Sequence, residues 1–255
     1  MLLRVETQRA FPGLPPLEIS AVASSDQQHR QRLVKANRVD DRIQRVAPRF
    51  VRILGWHVAF FEENDIRARL QVVPVEGWMR GDWFDSTGMT WVNPSPNLRS
   101  LTQATLYPGV ALVEGTNVSV GRGTDTPFEV LGAPWIKGHE LARYLNQREV
   151  SGVRFVPVRF TPTASNYAGE QCEGVNIVLV ERNALDAPEL GIELASALRK
   201  FYPQQFHMER MNELLVNQAV YDAVARGEDP RRIAQDWQEA LAKFQQLRKK
   251  YLIYQ

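Results

Sequence analysis

Val153-Arg-Phe-Val-Pro-Val-Arg-Phe160, Gly174-Val-Asn-Ile-Val-Leu-Val180 and the stretch Pro188 to Phe201 decide the fold class of this chain. The first has strand character, and Pro157 within it marks an edge strand or a bulge. The second is β-branched enough for a buried strand. The third puts Leu190, Leu194, Ala197, Leu198 and Phe201 on one helical stripe. Glu209 to Ala225 repeats that pattern with Leu214, Leu215, Val220 and Val224, and Gly227 suits a C-terminal cap. Asp229-Pro230 then supplies an N-cap and a first-turn proline. The helix it opens runs through Trp237, Leu241, Phe244, Leu247 and Tyr251, a stripe expected to be core. Upstream, Arg69 to Val75 reads as a strand, and Val110-Ala-Leu-Val113 as a short strand that delivers Glu114 at its end. The architecture is mixed α/β leaning to α+β: a small mixed sheet, long glycine- and proline-rich loops, and three C-terminal amphipathic helices.

Between Trp91 and Trp135 turn formers dominate: Trp91-Val-Asn-Pro-Ser-Pro-Asn97, Leu106-Tyr-Pro-Gly109, Glu114-Gly-Thr-Asn117, Gly121-Arg-Gly-Thr124, Pro127-Phe-Glu129 and Gly132-Ala-Pro-Trp135. Such density predicts a surface loop system held in fixed shapes rather than a core element. Loops of that kind carry binding and catalysis on a scaffold.

Composition excludes several classes. At 255 residues with 44% apolar and 24% charged side chains, the chain is an ordinary globular protein of one large or two small domains. A net charge of +2 is too small to argue for nucleic acid or an anionic membrane surface. The run from Arg30 to Arg49 is basic, but Asp40 and Asp41 interrupt it, as in a solvated helix face. Cys172 is the sole cysteine, and His29, His57, His139 and His207 have no zinc spacing. Phosphate-loop and nucleophile-elbow patterns are missing too. No metal or other cofactor is expected, and no apolar run approaches a membrane span. Met1-Leu-Leu-Arg-Val-Glu6 has charges where a signal peptide needs an apolar stretch, so the chain as written is expected in the cytoplasm.

Two carboxylates stand out. Glycosidic cleavage needs a pair of carboxyl groups flanking one bond, and Glu114 and Glu129 both lie in loops held by glycine or proline. Each could instead accept backbone N–H bonds and pin its own loop. Arg122, between Gly121 and Gly123, offers a planar fork to a carboxylate or phosphate, or pairs with Glu114 or Glu129. Asn97, Asn117, Ser119 and Thr124 can bond hydroxyls or amides, or serve as turn residues. In the second loop, from Phe160-Thr-Pro-Thr163 to Cys172, Tyr167 could stack on a sugar ring. Cys172 reads as a small buried apolar residue with no histidine near it in sequence.

On these same motifs the chain resembles a bacterial family long labelled a domain of unknown function, which includes the exo-β-N-acetylmuramidase NamZ. Gly77-Trp78, Trp83-Phe-Asp85, Tyr167-Ala-Gly169 and the end Leu247-Arg-Lys-Lys-Tyr-Leu-Ile-Tyr254 also fit. The likeness covers roughly residues 58–255 and implies a hydrolase, an N-acetylmuramidase of peptidoglycan catabolism and cell wall recycling. Its substrate would be a saccharide containing N-acetylmuramic acid. Glu114 and Glu129 would be catalytic, and Asn97, Asn117, Ser119, Arg122, Thr124 and Tyr167 would bind substrate, Arg122 through the lactyl carboxylate. Members of the family are often exported or periplasmic.

The resemblance also has gaps. Family members carry a Rossmann-like half, with a Pro-Glu-His-Gly loop and the main catalytic glutamate, before the matching region. Residues 1–57 are too short for it and read as an irregular or helical leader. Ala164 and Asn166 stand where Phe and Lys are expected. The chain is therefore expected to be a truncated family member. It is either a hydrolase acting through Glu114 and Glu129 or a non-catalytic saccharide-binding domain or fragment. The interface left by the missing half favours a homodimer or poor solubility.

Overall fold

The computed structural model describes the backbone of residues 3–6 and 69–72 and, in full, residues 76–252 and 254. The expected helix over residues 31–46 and the basic run from Arg30 to Arg49 lie outside the described residues. The chain divides into two units, residues 95–239 and residues 1–94 with 240–255. In the latter, β1 (Leu3–Glu6) pairs antiparallel with β2 (Arg69–Val72), the described part of the strand read from Arg69 to Val75.

The unit of residues 95–239 begins with α1 (Leu101–Val110), whose cap Ser100 accepts a bond from the Gln103 N–H. A 3-10 turn, Ala111–Val113, continues it. The strand expected at Val110–Val113 is thus the end of a helix. Leu106, Val110 and Val113 recur at helical spacing and are fully buried, each worth about 1.5–3 kcal/mol. Tyr107-Pro-Gly109, read as turn formers, lies inside α1. Gly109 and Gly191 allow a close approach: a Cβ on Gly109 would fall on the Ala187 carbonyl, and one on Gly191 would stand 2.5 Å from the Gly109 carbonyl oxygen. That contact brings α1 against α3 (Ala187–Phe201), which Asp186 caps and whose middle, Leu190 to Leu198, is buried on every side. The single stripe read there is therefore too narrow, and its last member, Phe201, is partly exposed.

β3 (Val130–Ala133), β4 (Val153–Phe160) and β5 (Cys172–Leu179) form one sheet in the order β3-β5-β4. It is antiparallel throughout rather than mixed, with Val130 opposite Asn176 and Val153 opposite Leu179. Pro157 sits on an edge strand, as expected. Against the sheet lies α2 (Gly138–Gln147), fastened where Asn146 donates to the Phe155 carbonyl at 2.8 Å and accepts from its N–H at 3.0 Å.

The loop system between Trp91 and Trp135 was expected outside the core, yet it supplies Val118, Val120, Phe128, Leu131 and Ala133 to it. Its turns are real, but its apolar residues point inward. Two long helices are also broken. Val216 at φ 50° separates α4 (Asn212–Leu215) from α5 (Gln218–Ala225), and the side chain of Asn217 recaps the chain. Trp237 separates α6 (Pro230–Asp236) from α7 (Gln238–Lys249). On α7, Leu241, Phe244 and Leu247 are 38%, 40% and 39% exposed, so the middle of the expected core stripe is a surface, while its ends hold: Trp237 packs partly buried on the core and Tyr251 is buried. Beyond it, Tyr254 is buried, its ring edge-on to Trp78 at 4.8 Å and its carbonyl accepting from Arg80 Nε at 3.2 Å.

Candidate functional site

Two loops of the unit of residues 95–239 carry the polar residues singled out above. Residues 114–129 leave the 3-10 turn, and residues 161–171 join β4 to β5. Their clamp is made of backbone. The Thr163 N–H and hydroxyl both donate to the Gly123 carbonyl, at 2.9 and 2.7 Å. Gly123 lies at φ 81°, and a Cβ there would fall on the backbone of Thr163 and Ala164. Only glycine meets both demands. Asn166 donates both amide hydrogens, to the carbonyls of Thr116 and Val118 at 3.1 and 2.8 Å. The unexpected asparagine therefore ties one loop to the other.

Tyr167 belongs to the same clamp. Its hydroxyl donates to the Asn117 carbonyl at 2.8 Å and accepts from Trp135 Nε1 at 2.9 Å. Asn117 in turn donates to the Gln205 carbonyl and accepts from the His207 N–H, both at 2.8 Å. Ser119 is buried, pairing with Gly132 through both backbone groups and accepting from the Gly121 N–H. The Thr124 hydroxyl donates to the Gly121 carbonyl. Asn97 stays in its own turn, where its N–H donates to Ser95 Oγ at 3.3 Å. Of the expected binding residues, Asn117, Ser119, Thr124 and Tyr167 spend their polar atoms on holding the loops.

The charged residues differ. Arg122 pairs with Glu114 through Nε, and the two side chains keep 31% and 23% exposure. Its guanidinium carbon lies 5.2 Å from the centre of the Phe128 ring. Phe128, buried and edge-on to Tyr107 at 4.9 Å, holds φ 65°. A non-glycine residue in that region costs about 1–2 kcal/mol. Ser165 and Tyr167 share this left-handed conformation, so three strained residues lie in this loop pair. Strain of this kind gathers where a binding surface must be held in one shape.

Next to Phe128, Glu129 accepts through Oε1 from Gln103 Nε2 at 3.0 Å, and no described residue bonds its Oε2. Gln103 escaped the sequence reading. The spacing Ser100-x-x-Gln103 is a capping-box signature that would have flagged it. Arg122 and Glu114 thus pair beside the buried Phe128 ring, Glu129 follows Phe128 in the chain, and α1 reaches these two neighbours through Tyr107 and Gln103.

Elsewhere the polar clusters are self-contained. A recess of about 130 Å³ by His139 holds the Arg159–Glu173 ion pair, which keeps the Glu173 carboxyl below its usual range. A wider one of about 360 Å³ is lined by Arg148, Glu193, Glu189 and Arg231. There Arg148 bonds both Glu193 and Asp229, which pulls the Asp229 carboxyl down, while burial pushes that of Glu189 up. Cys172 is buried as expected, and burial pushes its thiol up to about 11, unfit for a nucleophile near neutral pH. Among the described residues no group of His, Cys, Asp or Glu is arranged to hold a metal ion, and no helix is long and apolar enough to cross a membrane.

Residues 105–254 match the family model of the C-terminal part of exo-beta-N-acetylmuramidase NamZ, and residues 54–102 that of its N-terminal part. The chain belongs to the NamZ family. The two matches meet within the first turn of α1, beside Gln103. The peptidoglycan beta-N-acetylmuramidase NamZ of Bacillus subtilis (strain 168) is 36% identical over 198 residues, 76% of this chain and 48% of that protein. The chain therefore spans about half the length of this NamZ relative. The fold is shared with the crystal structure of a DUF1343 family protein from Bacteroides fragilis NCTC 9343, at a TM-score of 0.63 and 21% identity, covering 79% of this chain and 55% of that one.

Proposed function

We propose that this chain takes part in hydrolysing saccharides that end in N-acetylmuramic acid, as an exo-β-N-acetylmuramidase-type glycoside hydrolase, and that the Arg122 loop pair receives the sugar. Arg122 carries the reading. It is the arginine of this loop pair, 31% exposed, and its ion-pair partner is one partly exposed carboxylate, Glu114. Such a pair is worth about 0–1 kcal/mol, so an incoming carboxylate can replace Glu114 at little cost. The lactyl group that distinguishes muramic acid from glucosamine supplies that carboxylate and matches the planar fork.

In this reading Glu129 is the carboxyl group that meets the reacting end of the sugar, because Oε2 is unclaimed by described residues. Glu114, released from Arg122, is the second carboxylate that glycosidic cleavage requires. Asn117, Ser119, Thr124 and Tyr167 act by holding the loops in register; the ring of Tyr167 is their contribution to the sugar face.

A second reading, a saccharide-binding portion without turnover, is favoured by one observation: the chain spans about half of its relative's length. Release of N-acetylmuramic acid from the disaccharide MurNAc-GlcNAc, with melting followed in the presence of the ligand, separates the two. Turnover supports the hydrolase, and stabilisation without turnover supports the binding portion. Neither effect would reject both.

A further inference from the structure

Gln103 has no part in the reading above except as a neighbour, yet its geometry is more constrained than a helix cap requires. It is the third residue of α1 and 3% exposed. Both ends of its amide are engaged. Oε1 accepts from the Arg99 N–H at 2.6 Å, and Nε2 donates to Glu129 Oε1 at 3.0 Å. In an ordinary capping box the side chain at this position reaches back to the cap and stops there. Here Ser100 Oγ accepts from the Gln103 N–H at 3.1 Å, as in the box, but the far end of the amide is committed to a carboxylate 26 residues away.

The Arg99 N–H needs an acceptor, which settles which end of the amide faces it and leaves only the NH₂ for Glu129. Glu129 is held at its backbone as well. Its N–H donates to the Thr126 carbonyl at 3.1 Å, and its carbonyl accepts from the Ile177 N–H on β5 at 2.7 Å. The sheet thus fixes the main chain of Glu129, and α1 fixes one carboxylate oxygen.

We propose that Gln103 is a positioning residue: by pinning Oε1 of Glu129 it sets the carboxylate plane and presents Oε2 to the sugar. This rests on the reading that Glu129 meets the ligand. A positioned oxygen outperforms a rotating one because a donor or acceptor displaced by a fraction of an ångström loses most of its bond.

Calorimetric binding of N-acetylmuramic acid to the full chain, with melting alongside, tests this. Gln103→Met keeps the length of the side chain and removes both amide bonds; it is expected to weaken binding roughly tenfold, the scale of one hydrogen bond to a charged group. Gln103→Glu keeps the acceptor for Arg99 but sets a carboxylate against Glu129, and should weaken binding at least as much even if the methionine variant folds poorly. Ser100→Ala removes a bond from the same helix turn and should lower the melting temperature while leaving affinity unchanged. In a Glu129→Ala background, Gln103→Met should cost no further affinity.

Equal affinity losses in Gln103→Met and Ser100→Ala would overturn the proposal, as would a tenfold loss from Gln103→Met that persists in the Glu129→Ala background. Both outcomes leave the reading of Glu129 standing, provided Glu129→Ala itself weakens binding. Wild-type affinity in Glu129→Ala, or no binding by the wild-type chain, would remove that reading and this proposal together.

Discussion

Two arginine–carboxylate clusters in the same unit show opposite designs. Arg148 is 16% exposed and grips Glu193, 8% exposed, at 2.8 and 2.9 Å with two of its nitrogens, and it bonds Asp229 as well. It follows α2 directly, Glu193 belongs to α3, and Asp229 caps α6, so the cluster ties three helices. The Arg122–Glu114 pair ties nothing of that kind. It keeps 31% and 23% exposure, lies on a strained loop pair, and holds one partner with one nitrogen. A charge buried in a full set of bonds serves the fold, whereas one held lightly at a fixed place is available to a ligand.

The largest effect should come from the structural cluster. Arg148→Met leaves Glu193 buried without its partner, and breaking such a pair costs about 3–5 kcal/mol. A denaturant titration should register that loss, while ligand affinity in the variant that still folds stays near wild type. Gly123→Ala comes next. It forces a side chain into φ 81° and onto the Ala164 backbone, so about 1–3 kcal/mol should be lost. Unlike the Arg148 variant it should also abolish binding of N-acetylmuramic acid, because the loop clamp opens.

Acid should separate the clusters further. The Arg148 hydrogen bond holds the Asp229 carboxyl below its ordinary value. The folded chain therefore takes up that proton at lower pH than the unfolded chain. The stabilisation is complete above the ordinary value of about 3.9 and is lost as pH falls through the lower folded value. Asp229→Asn should flatten that part of the stability-against-pH curve, with the rest of the curve unchanged. The smallest effect on stability belongs to Arg122→Ala, within about 1 kcal/mol of wild type by melting, since the pair keeps contact with solvent and rests on one nitrogen.

Elements with a local signature were legible in the sequence. Pro188 marks the start of α3 and Asp229-Pro230 that of α6, and the strand-like runs of β4 and β5 mark the sheet. Reading failed where tertiary contact overrode local habit. Pro108 and Gly109 look like a turn, yet both lie inside α1, because the Gly109–Gly191 approach and the burial of Leu106 and Val110 outweigh them. Trp237 continues an apolar period across a break that periodicity does not register. α2 was missed, although Leu141 and Leu145 carry a helical spacing.

The candidate site divides in the same way. Glu114, Glu129 and Arg122 were legible as charges on glycine- and proline-held loops. The Arg122–Glu114 pair was one of the readings open to Arg122, but the distant contacts were not legible, since Gln103 bonds Glu129 from 26 residues away and Asn166 bonds Val118 from 48. Separation along the chain carries no record of such pairings.

The central claim is that Arg122 reads a carboxylate on the sugar. Its most direct test is the affinity of the wild-type chain and of Arg122→Ala for N-acetylmuramic acid and for N-acetylglucosamine, which lacks the lactyl group. The account predicts that the wild-type chain prefers the muramic sugar by roughly tenfold or more, the scale of a charge-assisted bond, and that Arg122→Ala erases the preference while its melting temperature holds. Equal affinities in the wild-type chain, or a preference that survives in Arg122→Ala, would contradict it.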